Sequence, residues 1–130
     1  MEASKDMDRV IDVLMLAGTL LLESGSEIHR VEDTMIRIAH SQGIDDCNAL
    51  AMPVAIFFSI ENANITRMKR ILRTNYNIEK VCDVNQISRQ LVSGQINLEQ
   101  AYQALIKLKH KRVPYTNLQL TIAATLSAPF

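Results

Sequence analysis

Seven ionisable side chains crowd one short stretch of this chain, LLLESGSEIHRVEDTMIRIA at residues 20–39: Glu23, Glu27, His29, Arg30, Glu32, Asp33 and Arg37. On a helix starting just after Gly25, Glu27 and Glu32 fall on opposite margins of the apolar stripe, so both are expected to be half-buried. Paired carboxylates in that setting suit general acid/base hydrolysis, with His29 or His40 available as a base. Glu27, Glu32 and Asp33 are therefore the candidate catalytic residues. A structural account competes with this one and is favoured. In it Glu27 caps a helix, Glu32 and Asp33 pair with Arg30 and Arg37 at helical spacing, and His29 is solvated. The sequence has no nucleophile elbow, phosphate loop or zinc pattern. His29 and Asp33, four residues apart, offer two ligands to a metal ion, and His110 belongs to a different helix, so neither a metal nor a cofactor is expected.

The elements that must hold these groups follow from periodicity. Residues Met7 to Glu23 read as a helix whose polar positions, Asp8, Asp12, Thr19 and Glu23, form only a narrow stripe. A helix so widely apolar has to be covered on several sides, as the central helix of a domain or by docking on a membrane domain or another copy, and core burial is the commoner cause. Gly25 can enter a left-handed conformation cheaply, so it ends this helix, and Ser24 or Ser26 is expected to cap the next, with Glu27 reaching back to Ser24. In the second helix Ile28, Val31, Met35, Ile38 and Ala39 make one core stripe, and Gly43 closes it.

Residues Cys47 to Ile60 are rich in Val, Ile, Phe and Met, and Glu61–Asn64 is a polar turn before Ile65–Leu72, the pattern of a β-hairpin. Pro53 cannot donate to a ladder, which predicts a bulge, a break or two short strands in place of one. Asn77 caps a third helix to about Ser93, and Asn97 with Gln100 forms a capping box for a fourth, to about Lys111. The fold class is α+β: four or five helices around a small antiparallel hairpin sheet. A basic run on the second strand and its exit, Arg67, Lys69, Arg70 and Arg73, offers contacts to carboxylates, phosphates or anionic lipid heads, and equally reads as a solvated edge strand protected by charge.

The whole chain has 130 residues, 48% of them hydrophobic and 22% charged, which suits one globular domain. Its net charge is zero, so no global field draws it to nucleic acid or an anionic membrane; nucleic-acid binding would need aromatics interleaved with the basic run, and only Tyr76 is near it. Two cysteines, Cys47 and Cys82, lack metal-type spacing and are expected to be reduced thiols. The N-terminus lacks the basic start and cleavage site of a signal peptide. Exposed apolar residues on the first helix and after Leu118 predict self-association as a homo-oligomer.

Leu21-Leu22-Glu23-Ser24-Gly25, Glu27, Arg30-Val31-Glu32-Asp33-Thr34-Met35 and Arg37-Ile38-Ala39 resemble the opening signature of the threonine/serine exporter family of bacterial membrane proteins. Thr66-Arg67, Asn77-Ile78-Glu79-Lys80-Val81, Val84-Asn85, Ser88-Arg89 and Leu91-Val92-Ser93-Gly94 continue the likeness in order, so that it covers roughly residues 10 to 130. The resemblance implies a water-facing domain at residues 1–113, on the cytoplasmic face of the inner membrane, and a linker with the start of a first membrane helix at 114–130; a short packed C-terminal helix is the alternative for that last segment. It further implies a role in exporting small amino acids or related carboxylates, with the membrane domain of the same or a partner subunit and the solute as partners. The functional signature carried over is Glu23, Gly25, Glu27, Arg30, Glu32 and Asp33. A hydrolase-like activity on the exported solute is the alternative. His29 departs from the family, where an aromatic tyrosine is common, and Ser26 stands where a small residue such as alanine is usual.

Overall fold

The structure, a computed structural model, describes residues 2–111. Seven elements follow one another: α1 (Glu2–Glu23), α2 (Ile28–Ser41), β1 (Cys47–Met52), β2 (Ala55–Ile60), β3 (Ile65–Arg70), α3 (Ile78–Val92) and α4 (Leu98–His110). The α+β expectation holds, with four helices and one antiparallel sheet among the described residues. α1 starts five residues earlier than its apolar pattern suggests. The expected membrane-helix start at 114–130 lies outside the described residues, and within them no helix is long and apolar enough to cross a membrane.

α1 is the hub. It packs against α2, α3 and α4, and through β2 against the sheet. Val10, Ile11, Val13, Leu14, Ala17, Leu20, Leu21 and Leu22 are all buried, which explains why its polar stripe is so narrow. Each large aliphatic side chain buried in this way contributes roughly 1.5–3 kcal/mol. Thr19, buried in the same helix, donates its hydroxyl to the Met15 carbonyl at 2.7 Å and so is not left unpaired. Gly18 lets α2 approach closely: a Cβ there would lie 2.7 Å from Met35 Sδ and 3.4 Å from the Ile56 side chain.

The sheet is a three-stranded meander in the order β1-β2-β3. Pro53 and Val54 form the two-residue turn between β1 and β2, pairing Met52 with Ala55, so the apolar run 47–60 is two strands and Pro53 stays out of the ladder. Asn64 takes φ 53° in the second turn, a conformation its short polar side chain tolerates. Ile56, Phe58 and Ile60 of β2 are buried against the helices. The register sets Lys69 opposite Ile56 and Arg67 opposite Phe58, so both basic residues share that helix-facing side at the sheet's outer edge. Leu50, Phe57 and Met68 form a row across the opposite side, where Leu50 and Met68 are 53% and 59% exposed.

The helix ends behave as their residues require. Asn77 accepts from the Lys80 amide at 3.1 Å, and Asn97 and Gln100 close a reciprocal capping box at 2.8 and 2.9 Å. Between α1 and α4, the Arg9 guanidinium lies 3.9 Å from the centroid of the Tyr102 ring and 3.3 Å from Glu99.

Replacing Gly18 should separate helix propensity from packing. Gly18→Ala should stay within about 1 kcal/mol of the parent in chemical denaturation, because the propensity gain offsets a small shift of the flexible Met35. Gly18→Leu should lose about 1–3 kcal/mol by overfilling the α1–α2 contact.

Candidate functional site

The corner between α1 and α2 is closed by the backbone. The Gly25 amide donates to Leu22 O at 3.1 Å and the Ser26 amide to Leu21 O at 2.9 Å, the paired bonds of a Schellman helix end with Gly25 at φ +90°. This closure draws Ser26 into the end of α1. The first carbonyl of the α2 ladder is therefore that of Glu27, which accepts from Arg30 and Val31 at 3.0 and 3.1 Å. The expected serine cap is absent: Glu27 itself is the N-cap residue of α2, and its side chain makes no capping bond. Its carboxylate is exposed, not half-buried.

A second piece of chain clamps this corner. The Asn75 amide donates to Glu23 O at 2.7 Å and the Asn77 amide to Ser24 O at 3.1 Å, so the segment after β3 crosses the end of α1. Tyr76, between them, lies flat enough on the turn that a Cβ at Gly25 would fall 2.3 Å from its ring. Gly25 is needed for its backbone angle and for this close approach together. Ser24, Glu27, Arg30, Tyr76 and Ile78 border the resulting open depression.

The signature residues do not converge. Glu32 is the half-buried carboxylate, with its side chain 25% exposed. Its Oε2 accepts from the backbone amide of Ala51 at 2.8 Å. Ala51 is buried and lies on β1, the other edge strand of the sheet among the described residues, so Glu32 satisfies an amide that β2 does not reach. His29 Nδ1 stands 3.9 Å from the other Glu32 oxygen and is solvated, as its position predicts. Asp33 accepts from Arg37 Nε at 2.8 Å across one helical turn, on a surface bordered by Ser88 and Arg89 of α3. Arg30, expected to pair with an acidic neighbour, forms no ion pair among the described residues. Among those residues no group of three or more His, Cys, Asp or Glu side chains is placed to hold a metal ion.

Glu23 points elsewhere. It borders a groove of about 430 Å³ between α1, β3 and α4, whose floor includes Leu16, Leu20 and Ile106. Asp12, Arg67, Lys69 and Lys109 are the other charged groups on its walls. Arg67 is held by Asp8 at 3.2 Å and by Asp12 at 3.9 Å. The basic run is thus divided: Arg67 and Lys69 face the helix side, Arg70 projects from the opposite side, and Arg73 lies beyond the strand. The sequence alone placed Lys109 and Tyr102 on no site, because their only signal is ordinary helical spacing.

Both cysteines are free, as expected. Cys47 is partly buried with Sγ 3.7 Å from Ile44 O, and burial, reinforced by the charges of Asp45 and Asp46, pushes its pKa up. Cys82 is exposed on α3.

Taken together, fold and site define a helix-centred α+β domain whose corner is closed by backbone bonds and in which one member of the acidic signature, Glu32, holds the strand edge. The chain matches the family described as "Putative threonine/serine exporter" over residues 12–130 and belongs to it. No curated protein and no solved structure shows a significant match.

Three measurements check these assignments. Glu32→Ala should lose about 2 kcal/mol of stability, a charge-assisted hydrogen bond to a buried amide, whereas Glu32→Gln, which keeps an acceptor, should lose less than half of that. Gly25→Ala should lose about 1–2 kcal/mol through its left-handed backbone and more from displacing the Tyr76 ring, and Tyr76→Ala in the same background should restore only the second part. Under alkylation at mildly alkaline pH, Cys82 should be modified first and Cys47 lag, because a raised pKa leaves less thiolate and burial restricts access.

Proposed function

We propose that this chain supplies a water-facing domain to a bacterial inner-membrane exporter of small amino acids, threonine and serine among them, or of related small carboxylates. The domain sits on the cytoplasmic side and serves assembly, gating or the gathering of solute. The observation that carries this reading is the family match, which spans all but the first eleven residues.

The geometry supports a non-enzymatic role. General acid/base catalysis needs its carboxylates to face one substrate, and here Glu27 is solvated at the corner, Glu32 is bonded to β1 and Asp33 is paired with Arg37. The row Leu50, Phe57 and Met68 on the open side of the sheet is the apolar surface that assembly with the membrane-embedded part of the exporter would cover. Arg70, on the same side, would then approach lipid heads.

Membrane vesicles carrying the full-length protein should move serine or threonine outward from the cytoplasmic side. Glu27→Gln and Arg30→Ala, both at exposed positions, should reduce that flux several-fold without lowering the melting temperature, and the purified protein should not turn over amino-acid esters or small peptides. Ester turnover abolished by Glu27→Gln would replace this reading with the hydrolase.

A further inference from the structure

The groove between α1, β3 and α4 carries an imbalance that the fold does not use. α1 presents Asp12, Leu16, Thr19 and Glu23 along it at helical spacing, so Asp12 and Glu23 lie about 16 Å apart along the helix. At the Asp12 end the charges are matched, since Arg67 spans Asp8 and Asp12. Arg9 on Tyr102 and Glu99 closes α4 against the same end of α1. Towards the other end the chain leaving β3 reaches the Glu23 carbonyl at Asn75, so β3 runs alongside α1 in the same direction. Lys69, two residues past Arg67, is therefore displaced towards Glu23, and Lys109 lies one helical face and two turns beyond Tyr102.

Among the described residues, the Glu23 side chain and the ammonium groups of Lys69 and Lys109 form neither ion pairs nor hydrogen bonds with protein. They border one groove, yet no two of opposite sign lie within 4 Å. A half-buried carboxylate at the negative end of the α1 dipole favours a cation, and two ammonium groups on the facing walls favour an anion. Leu16, Leu20 and Ile106 supply the apolar part of the same groove's lining. The volume of about 430 Å³ is at the small end of ordinary ligand sites.

We propose that this groove binds a small zwitterionic α-amino acid, its ammonium on Glu23, its carboxylate on Lys69 and Lys109, and its side chain over the apolar floor. The mixed charge selects against plain cations and plain anions, because each leaves one wall unmatched. The charge pattern stands by itself; the choice of serine and threonine as ligands rests on the exporter function proposed above.

The test is titration of the full chain, by calorimetry or by amide chemical shifts, with L-serine and L-threonine, and with ethanolamine and propionate as the separate charged halves. Saturable binding of the amino acids should exceed that of either half by about tenfold or more, the worth of one charge-assisted contact. Glu23→Gln should weaken it by about tenfold or more, as should Lys69→Met combined with Lys109→Met, while Arg70→Met on the opposite side of the sheet should leave it unchanged. Should Glu23→Gln lose its helical circular dichroism, the lysine pair alone decides. No saturable binding, equal binding of a half-molecule, or binding unaltered in the folded variants overturns the site. Absent binding in a protein that still exports removes the groove and leaves the exporter; retained binding in a protein that exports neither amino acid removes the exporter and leaves the groove.

Discussion

The burial of α1 on nearly its whole circumference is the constraint from which the rest of the domain follows. A helix with Val10, Ile11, Val13, Leu14, Ala17, Leu20, Leu21 and Leu22 buried needs partners around it, and α2, α3, α4 and the sheet are those partners. Gly18 sets how near α2 and β2 can come. On its outer side the stripe from Asp12 to Glu23 forms one wall of the α1–β3–α4 groove, with Asp6 and Asp8 exposed before it.

Around that helix the acidic signature is distributed by function in the fold. Glu32 ties α2 to the free edge of β1, a neat use of a carboxylate where a buried amide would otherwise lack a partner. Asp33 and Arg37 pair on the surface of α2. Gly25 closes α1 beneath Tyr76, while Asn75 and Asn77 strap the same corner through backbone bonds to Glu23 and Ser24. Among the described residues, Glu27 and Arg30 at the solvated corner and Glu23 in the groove are left without an ion pair. These are the members of the signature whose side chains remain available to something outside the domain.

Basic residues show the same division. Arg67 is consumed by Asp8 and Asp12, an arrangement invisible in a sequence where Asp8 lies 59 residues before Arg67. Lys69 shares its side of the sheet and Arg70 does not, because alternation along β3 sends neighbouring residues to opposite faces. A run that reads as one cationic patch is thus two separate ones. At the edge strand such charges also discourage pairing with another chain, so Arg70 has a structural use whatever it meets in the membrane setting.

Local chemistry was legible without coordinates wherever a few neighbouring residues suffice. The Asn77 cap, the Asn97–Gln100 capping box, the left-handed Gly25, the break at Pro53 and the apolar stripes of the helices all follow from short-range sterics and hydrogen bonding. The family signature was legible too, since it is a matter of residue order. The serine cap before α2 was misread because two local solutions compete for Ser24 and Ser26, and the Schellman closure of α1, reinforced by the strap at Asn75 and Asn77, takes both. Only the tertiary structure decided which carboxylates are used and which are left over. The Glu32–Ala51 bond, the Arg67–Asp8 pair and the meeting of Glu23 with Lys69 and Lys109 in one groove join residues far apart in the chain, and no periodicity within a single element encodes them.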